Sequence, residues 1–363
     1  MNGVFWNPVE VNFGRASLER LASILGERNA VVVTFPEAAE LGLIQRLREI
    51  AGARIVEVIS DVQPNPDVLH LAKMYGEYWR AHHATPAIVA VGGGSVLDTA
   101  KALMVGTHSG EFGELLDCLD SGAPFTPPYA KQLITVPTTA GTGSEVTPWA
   151  TIWDRTVKQR KYSLHLQQTW PEAAIVDPDL TLSLPLAVTV QSGLDALSHA
   201  LEAIWNVNAN PISDEFAVSA ARDMLETLPV LASDPGNPLL RERASFAALK
   251  AGLAFSNTKT ALAHSISYEM TIHHGIPHGI ACSFTLPMVL GLARGRDADR
   301  DAVLARVFPC ALRDADHFLA RFLEGLGVRT EFASYGVDDD ESRRMIAHAL
   351  SGPRGRNFLA AHA

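Results

Sequence analysis

Four short runs rich in β-branched residues lie in the first half of this chain: Asn29 to Thr34, Arg54 to Ile59, Ala87 to Val91 and Gln132 to Val136. Stretches with helical periodicity separate them. That alternation is the pattern of βαβ units and predicts a parallel sheet. From about Leu186 the texture changes to long amphipathic stretches rich in Ala and Leu, such as Val188 to Trp205, Asp214 to Leu228 and Arg241 to Phe255. The second half therefore reads as all helical. Pro171, Pro178 and Pro185 punctuate the junction, which places a domain boundary near residue 185: an α/β domain over 1–185 and a helical domain over 186–363. A chain of 363 residues has room for two such cores.

Composition narrows the function classes. With 47% hydrophobic and 19% charged residues the chain is a compact folded protein, and a net charge of -10 argues against nucleic acid as a partner. Cys118, Cys282 and Cys310 are far apart, odd in number and without a CxxC pair, as expected of reduced thiols. The start, Met1 to Pro8, has neither a basic nor an apolar leader region, and no run of about 18 apolar residues occurs. The expectation is a cytoplasmic protein with no membrane partner. Ser334 to Glu341 reads as a turn and helix start whose acids face solvent.

Asp195 and His199 stand four residues apart in Gly193-Leu-Asp-Ala-Leu-Ser-His199, one helical turn on one face. Both can reach one ion. His264, and His278 in the turn Gly275-Ile-Pro-His278-Gly279, bring two further imidazoles. One carboxylate with three imidazoles suits Fe(II), Zn(II) or a related divalent metal and suits Ca or Mg poorly. Each histidine alone would be an ordinary hydrogen-bonded residue; together they make a metal site the better reading.

After the run ending at Val91 comes Gly92-Gly-Gly-Ser95-Val-Leu-Asp98-Thr-Ala-Lys101, a glycine-rich turn opening a helix. Glycines there let backbone N–H groups approach a pyrophosphate, and a helix N-terminus favours its charge. A tight turn needs glycine in any case. A second segment strengthens the phosphate reading: Pro137-Thr-Thr-Ala-Gly141-Thr-Gly-Ser144-Glu145 follows the next strand and can line the same ligand at the carboxyl edge of the sheet.

Taken in order, these segments, with Asp177-Pro-Asp-Leu-Thr181 and Pro277-His278-Gly279, resemble the iron-dependent, group III alcohol dehydrogenase family over nearly the whole length. The resemblance implies an N-terminal Rossmann-like domain for NAD or NADP, an all-α metal-binding domain, and catalysis in the cleft between them, an architecture shared with dehydroquinate synthase. It implies a homodimer acting on a small aldehyde or alcohol. Carried over by position, the metal ligands are Asp195, His199, His264 and His278. The cofactor contacts are Gly93, Gly94, Ser95, Asp98, Thr138, Thr139, Thr142, Ser144 and Lys161.

Three departures from the family pattern bear on chemistry. Thr34 is followed by Phe35 where the family often has the aspartate that holds the adenosine ribose, which leaves NADP(H) open beside NAD(H). Tyr268 stands where many members carry a second histidine near the nicotinamide; a phenol can still hydrogen-bond or relay a proton. Before His264 the chain reads Ser256-Asn-Thr258-Lys259-Thr260-Ala-Leu-Ala. Lys259, flanked by two hydroxyls, is a candidate for holding an anion, similar to the subgroup that reduces phosphonoacetaldehyde. The expected catalytic set is therefore His264, His278, Tyr268 and Lys259. The competing readings are a reductase of neutral short-chain aldehydes or diols, a lyase resembling dehydroquinate synthase, and a non-catalytic protein on the same fold.

Overall fold

A computed structural model describes residues 3–362; Met1, Asn2 and Ala363, and with them the first two residues of the start read for a leader, lie outside the described residues. No helix among them is long and apolar enough to cross a membrane. The chain divides into two compact units. One comprises Pro8–Thr138 and Ser144–Leu180, the other residues 3–7, Thr139–Gly143 and 181–362. The division falls slightly before the expected position at residue 185, and two segments from the first half belong with the helical unit.

The first unit holds strands β1 (Glu10–Phe13), β2 (Ala30–Thr34), β3 (Ile55–Ile59), β4 (Ala87–Gly92), β5 (Gln132–Pro137) and β8 (Ala173–Val176) in one sheet, all parallel, in the order β1-β8-β5-β4-β2-β3. Helices α1 (Leu21–Leu25), α2 (Leu43–Ala51), α3 (Val68–His82), α4 (Gly94–Leu103) and α5 (Phe112–Ser121) connect the strands. Every residue of β2 and β4 is buried, as a parallel sheet covered on both faces requires. Alternation assigns the two faces. Val31, Val33, Ile88, Ala90 and Leu133 pack into one core with residues of α3, α4 and α5. Ala30, Val32, Ala87, Val89, Ile134 and Val136 pack into the other, with Leu43 and Leu47 of α2.

The sheet has four more strands around it than the sequence revealed. β1 and β8 have four residues each, and β1 buries only Asn12, too little to show a period. The remaining pair, β6 (Trp149–Asp154) and β7 (Arg160–His165), forms a separate antiparallel hairpin whose second strand is polar. After β3 the chain returns to the opposite side of β2, so a topological switch point lies between β2 and β4. The turn from β4 into α4 stands at that point, at the carboxyl end where open α/β sheets bind ligands.

The second unit holds α6 (Leu186–Ile204), α7 (Pro211–Ser233), α8 (Pro238–Thr258), α9 (Leu262–His274), α10 (His278–Ser283), α11 (Leu286–Ala293), α12 (Ala298–Ala305), α13 (Ala315–Gly325) and α14 (Asp339–Ser351). Its core joins Leu197, Leu201 and Trp205 of α6 and its end to Met224 and Leu228 of α7, Ala251 of α8 and Ile266 of α9. Start signals are local: Asn210 and Asn237 accept hydrogen bonds from the first-turn N–H groups of α7 and α8, with proline next in each case. Each such cap contributes about 1 kcal/mol. Asp338 caps α14 in the same way, within the segment read as a turn and helix start.

Candidate metal centre

α6 presents Asp195, His199 and Glu202 at i, i+4 and i+7, so all three lie on one face. α9 adds His264 near its start, and α10 opens with His278 and carries Cys282 one turn later. Asp195 Oδ1 is the convergence point. His264 Nε2 lies 3.2 Å from it, His278 Nε2 3.7 Å, His199 Nδ1 3.8 Å and Cys282 Sγ 3.4 Å. Asp195, His264, His278 and Cys282 form a group whose donor atoms are within 4.8 Å of one another. His199 stands just outside it, its ring stacked on Phe255 at 4.1 Å and on His264 at 4.4 Å.

The approach of α10 to α6 depends on one glycine. A Cβ on Gly279 would come within 1.9 Å of the Gln191 carbonyl oxygen, so no other residue can follow His278 without moving it away from α6.

Glu202 is fully buried and fixes His264 from behind. It accepts the N–H groups of Ala261 at 2.8 Å, Ala263 at 2.5 Å and His264 at 3.3 Å, the orphan donors at the start of α9. It also accepts from His264 Nδ1 at 2.7 Å. A carboxylate can only accept, so Nδ1 carries the proton and Nε2 turns its lone pair toward Asp195. Two acceptors 3.2 Å apart need a cation between them. A proton supplies one, and the neighbouring acids shift His264 accordingly: burial works against its charge, but Glu202 and Asp195 outweigh it and its pKa rises. A metal supplies the other. The remaining donors fit that role. Burial lowers His199 to about 4, which keeps it neutral, and its buried Nδ1 has no hydrogen-bond partner among the described residues. Burial pushes Asp195 upward, yet the three imidazoles hold it well below the usual carboxylate range. Burial and Asp195 together push the Cys282 thiol up, so its S–H donates to Asp195.

Around this cluster, Tyr268 sits one turn beyond His264 and is partly exposed. Burial of its hydroxyl surroundings pushes the phenol up to about 12, against the opposing charge of Arg354. Lys259 is not brought into the cluster: it ends α8 with φ of 69°, and its side chain is exposed. Physically, α8 stops at Thr258 and the lysine starts the link to α9, so its nearness to His264 in sequence does not carry into the donor group.

The residues expected to hold the cofactor fall into two places. Gly93 precedes α4 without a side-chain cap; its carbonyl takes the Val96 and Leu97 N–H groups, so the N–H groups of Gly94 and Ser95 are the ones placed for an external acceptor. Ser95 Oγ accepts from Asn65 N–H at 2.9 Å, and Thr138 N–H donates to Gly92 O at 3.0 Å. Asp98 and Ser144 are turned toward each other: Ser144 Oγ donates to Asp98 Oδ1 at 2.9 Å, and Thr151 N–H to Oδ2 at 2.8 Å. Buried Lys101 donates to Ser144 O, Ser144 Oγ and Trp149 O at 2.6, 2.7 and 2.8 Å. Lys161 is in β7, its ammonium 5.5 Å from the Trp153 ring. Thr139 and Thr142 belong to the helical unit. There Gly143, at φ +61°, packs so close to α8 that a Cβ would meet Gly252 Cα at 2.6 Å. The Gly141 backbone in the same segment stands beside the His199 ring and works against the lowering of its pKa. After β2, Thr34 donates to Val91 O at 2.7 Å, and the first carboxylate beyond Phe35 is the exposed Glu37.

Glu202 and Cys282 were missed by the sequence reading, although the signal was present. Glu202 continues the helical face of Asp195 and His199, and Cys282 follows His278 at i+4.

Comparison with known proteins assigns the class. Residues 8–178 match the family described as iron-containing alcohol dehydrogenase, and residues 189–360 match the C-terminal region of the Fe-containing alcohol dehydrogenase family. The chain belongs to the iron-containing alcohol dehydrogenase family, and it is an oxidoreductase that uses a nicotinamide dinucleotide and a divalent metal. It is 29% identical to an NAD-dependent methanol dehydrogenase of Bacillus methanolicus, covering 96% of this chain and 93% of the relative. An NADPH-dependent butanol dehydrogenase of Clostridium saccharobutylicum is 28% identical over 98% of this chain and 94% of its own. Among solved structures, a sulfoacetaldehyde reductase from Bifidobacterium kashiwanohense in complex with NAD+ superimposes with a TM-score of 0.89 at 29% identity, covering 99% and 95% of the two chains.

Proposed function

We propose that this enzyme reversibly reduces a small anionic aldehyde, of the type of phosphonoacetaldehyde or sulfoacetaldehyde, to the alcohol. The observation that carries the chemistry is the convergence of His199, His264 and His278 nitrogens on Asp195 Oδ1, each within 3.8 Å. The substrate class is supported by the likeness to a sulfoacetaldehyde reductase. In this reading Asp195, His199, His264 and His278 hold the metal. Gly93, Gly94, Ser95, Asp98, Thr138, Thr139, Thr142, Ser144 and Lys161 serve the NAD(P) site, and the enzyme is a cytoplasmic homodimer.

When bound, the metal supplies Lewis-acid polarisation of a carbonyl oxygen, and the reduced nicotinamide supplies the hydride. The chain's own groups prepare that chemistry. Asp195 contributes the one negative charge among the proposed ligands, and Glu202 keeps the proton of His264 on Nδ1. Tyr268 Oη holds its proton up to about pH 12, so it acts as a hydrogen-bond donor rather than a base at neutral pH.

A second reading, reduction of neutral short-chain aldehydes, is favoured by the methanol and butanol dehydrogenase relatives. Oxidation of NADH and of NADPH by Fe(II)-loaded or Zn(II)-loaded enzyme separates the two, with phosphonoacetaldehyde, sulfoacetaldehyde and propanal offered in parallel. A higher kcat/KM for either anionic aldehyde than for propanal is the expected result. Preference for propanal would retain the family chemistry and discard the anionic substrate.

A further inference from the structure

The proposed metal site contains a donor that the ligand set above leaves unused. Cys282 is fully buried, and its Sγ lies 3.4 Å from Asp195 Oδ1. It follows His278 at i+4 on α10, which puts thiol and imidazole on one face, as Asp195 and His199 are on α6. Two contacts fix that face against α6. Ser198 Oγ donates to the Cys282 carbonyl at 3.0 Å, and the bare Cα of Gly279 lets α10 approach the Gln191 carbonyl.

Spacing decides which donors can share one ion. Bonds of about 2.0–2.1 Å to nitrogen or oxygen and about 2.3 Å to sulfur set the donors of a tetrahedral ion roughly 3.3–3.6 Å apart. From Asp195 Oδ1 the distances are 3.2 Å to His264 Nε2, 3.4 Å to Cys282 Sγ and 3.7 Å to His278 Nε2. The donor atoms of these four residues all lie within 4.8 Å of one another. His199 Nδ1 is the outermost, 3.8 Å from Oδ1. It is buried at 5% exposure with no hydrogen-bond partner among the described residues, an independent sign that the cluster is arranged around a ligand. The sulfur therefore stands among the donors, unlike Glu202, which meets the His264 ring from behind. As a thiol, Cys282 donates to Asp195. A thiol bound to a divalent ion is deprotonated outright, and its proton passes to solvent as the metal–sulfur bond forms. Such a soft ligand favours Zn(II) over harder ions.

We infer that Cys282 is a ligand of the divalent metal, joining Asp195, His264 and His278, and that its sulfur biases the centre toward Zn(II) over Fe(II). The inference rests on the metal-site reading above and adds one donor to it. The test exchanges Co(II) into the full chain, in wild type and in Cys282→Ser, and records the absorption spectrum. Wild type is expected to show a sulfur-to-cobalt charge-transfer band in the near ultraviolet beside the visible d–d bands of the bound ion. Cys282→Ser is expected to keep the d–d bands, which report a folded site that still holds cobalt, and to lose the charge-transfer band. As a second readout, the ratio of Zn(II) to Fe(II) affinity, each measured anaerobically against a competing chelator, is expected to fall at least about 10-fold in Cys282→Ser. In wild type, d–d bands without a charge-transfer band would overturn the assignment while leaving the metal site of Asp195 and the histidines standing. A charge-transfer band of equal strength in Cys282→Ser, or an unchanged affinity ratio, would do the same. Failure of wild type to take up any of the three ions would remove both.

Discussion

Lys101 in the sheet unit and Asp195 in the helical unit are both ionisable groups buried almost completely, at 0% and 3% exposure, yet their partners differ in kind. Lys101 faces only acceptors, two carbonyls and a hydroxyl that itself donates to Asp98, so the donors and acceptors of that network match one another. Asp195 faces imidazole nitrogens, one of which presents a lone pair and another of which, His199 Nδ1, has no hydrogen-bond partner among the described residues. A matched network is complete as a piece of structure. Where Asp195 Oδ1 faces the His264 Nε2 lone pair, acceptor meets acceptor, and that contact is complete only with a proton or a metal between them. The same degree of burial thus accompanies a self-satisfied network in one unit and the proposed metal site in the other.

Three experiments break or sharpen that contrast. Removing a proposed ligand is expected to have the largest effect: His264→Ala is predicted to lower turnover by at least about 100-fold and metal content in parallel, with circular dichroism unchanged. Full turnover in metal-stripped protein would show that the acceptor cluster is not a metal site. Glu202→Gln comes next. It keeps the shape but weakens the fixing of His264, and metal affinity measured against a competing chelator is expected to fall about 10- to 100-fold. An unchanged affinity would reduce Glu202 to a helix cap.

The third experiment concerns the Lys101 network and reads stability rather than metal or turnover. Burial lowers Lys101 to about 8 from the ordinary 10.5, so between those values the unfolded chain binds the proton more readily than the folded one. Stability from this group is therefore absent below pH 8 and gained as pH rises toward 10.5, by up to about 3 kcal/mol. Denaturant titrations at pH 8, 9 and 10 are expected to show a shallower rise for Lys101→Met than for wild type. Identical slopes would mean that Lys101 titrates as it does in the unfolded chain.

What was legible in the sequence followed local rules. The central strands β2 and β4 announced themselves as unbroken apolar runs because both faces are covered, and Asp195 and His199 because helical spacing is a local property. β1 and β8 were too short to show a period, and the polar Arg160–His165 strand resembled a loop. Glu202 was passed over because a glutamate in a helix ordinarily marks a solvated face; here tertiary packing gives it the start of another helix to cap. Lys259 drew notice by lying close to His264 in the chain. Arg354, 90 residues further on, reaches Thr260 and Tyr268 only through the packing of the segment after α14, which no local pattern encodes.

The role of Glu202 has a wider consequence. One carboxylate is both the cap on the first turn of α9 and the partner of the His264 ring. Fraying of that turn and loss of basicity at Nε2 are therefore coupled, and an ion held by His264, as proposed, would also hold the helix end closed. On the proposed metal site, amide exchange at the start of α9 would therefore slow when the ion binds.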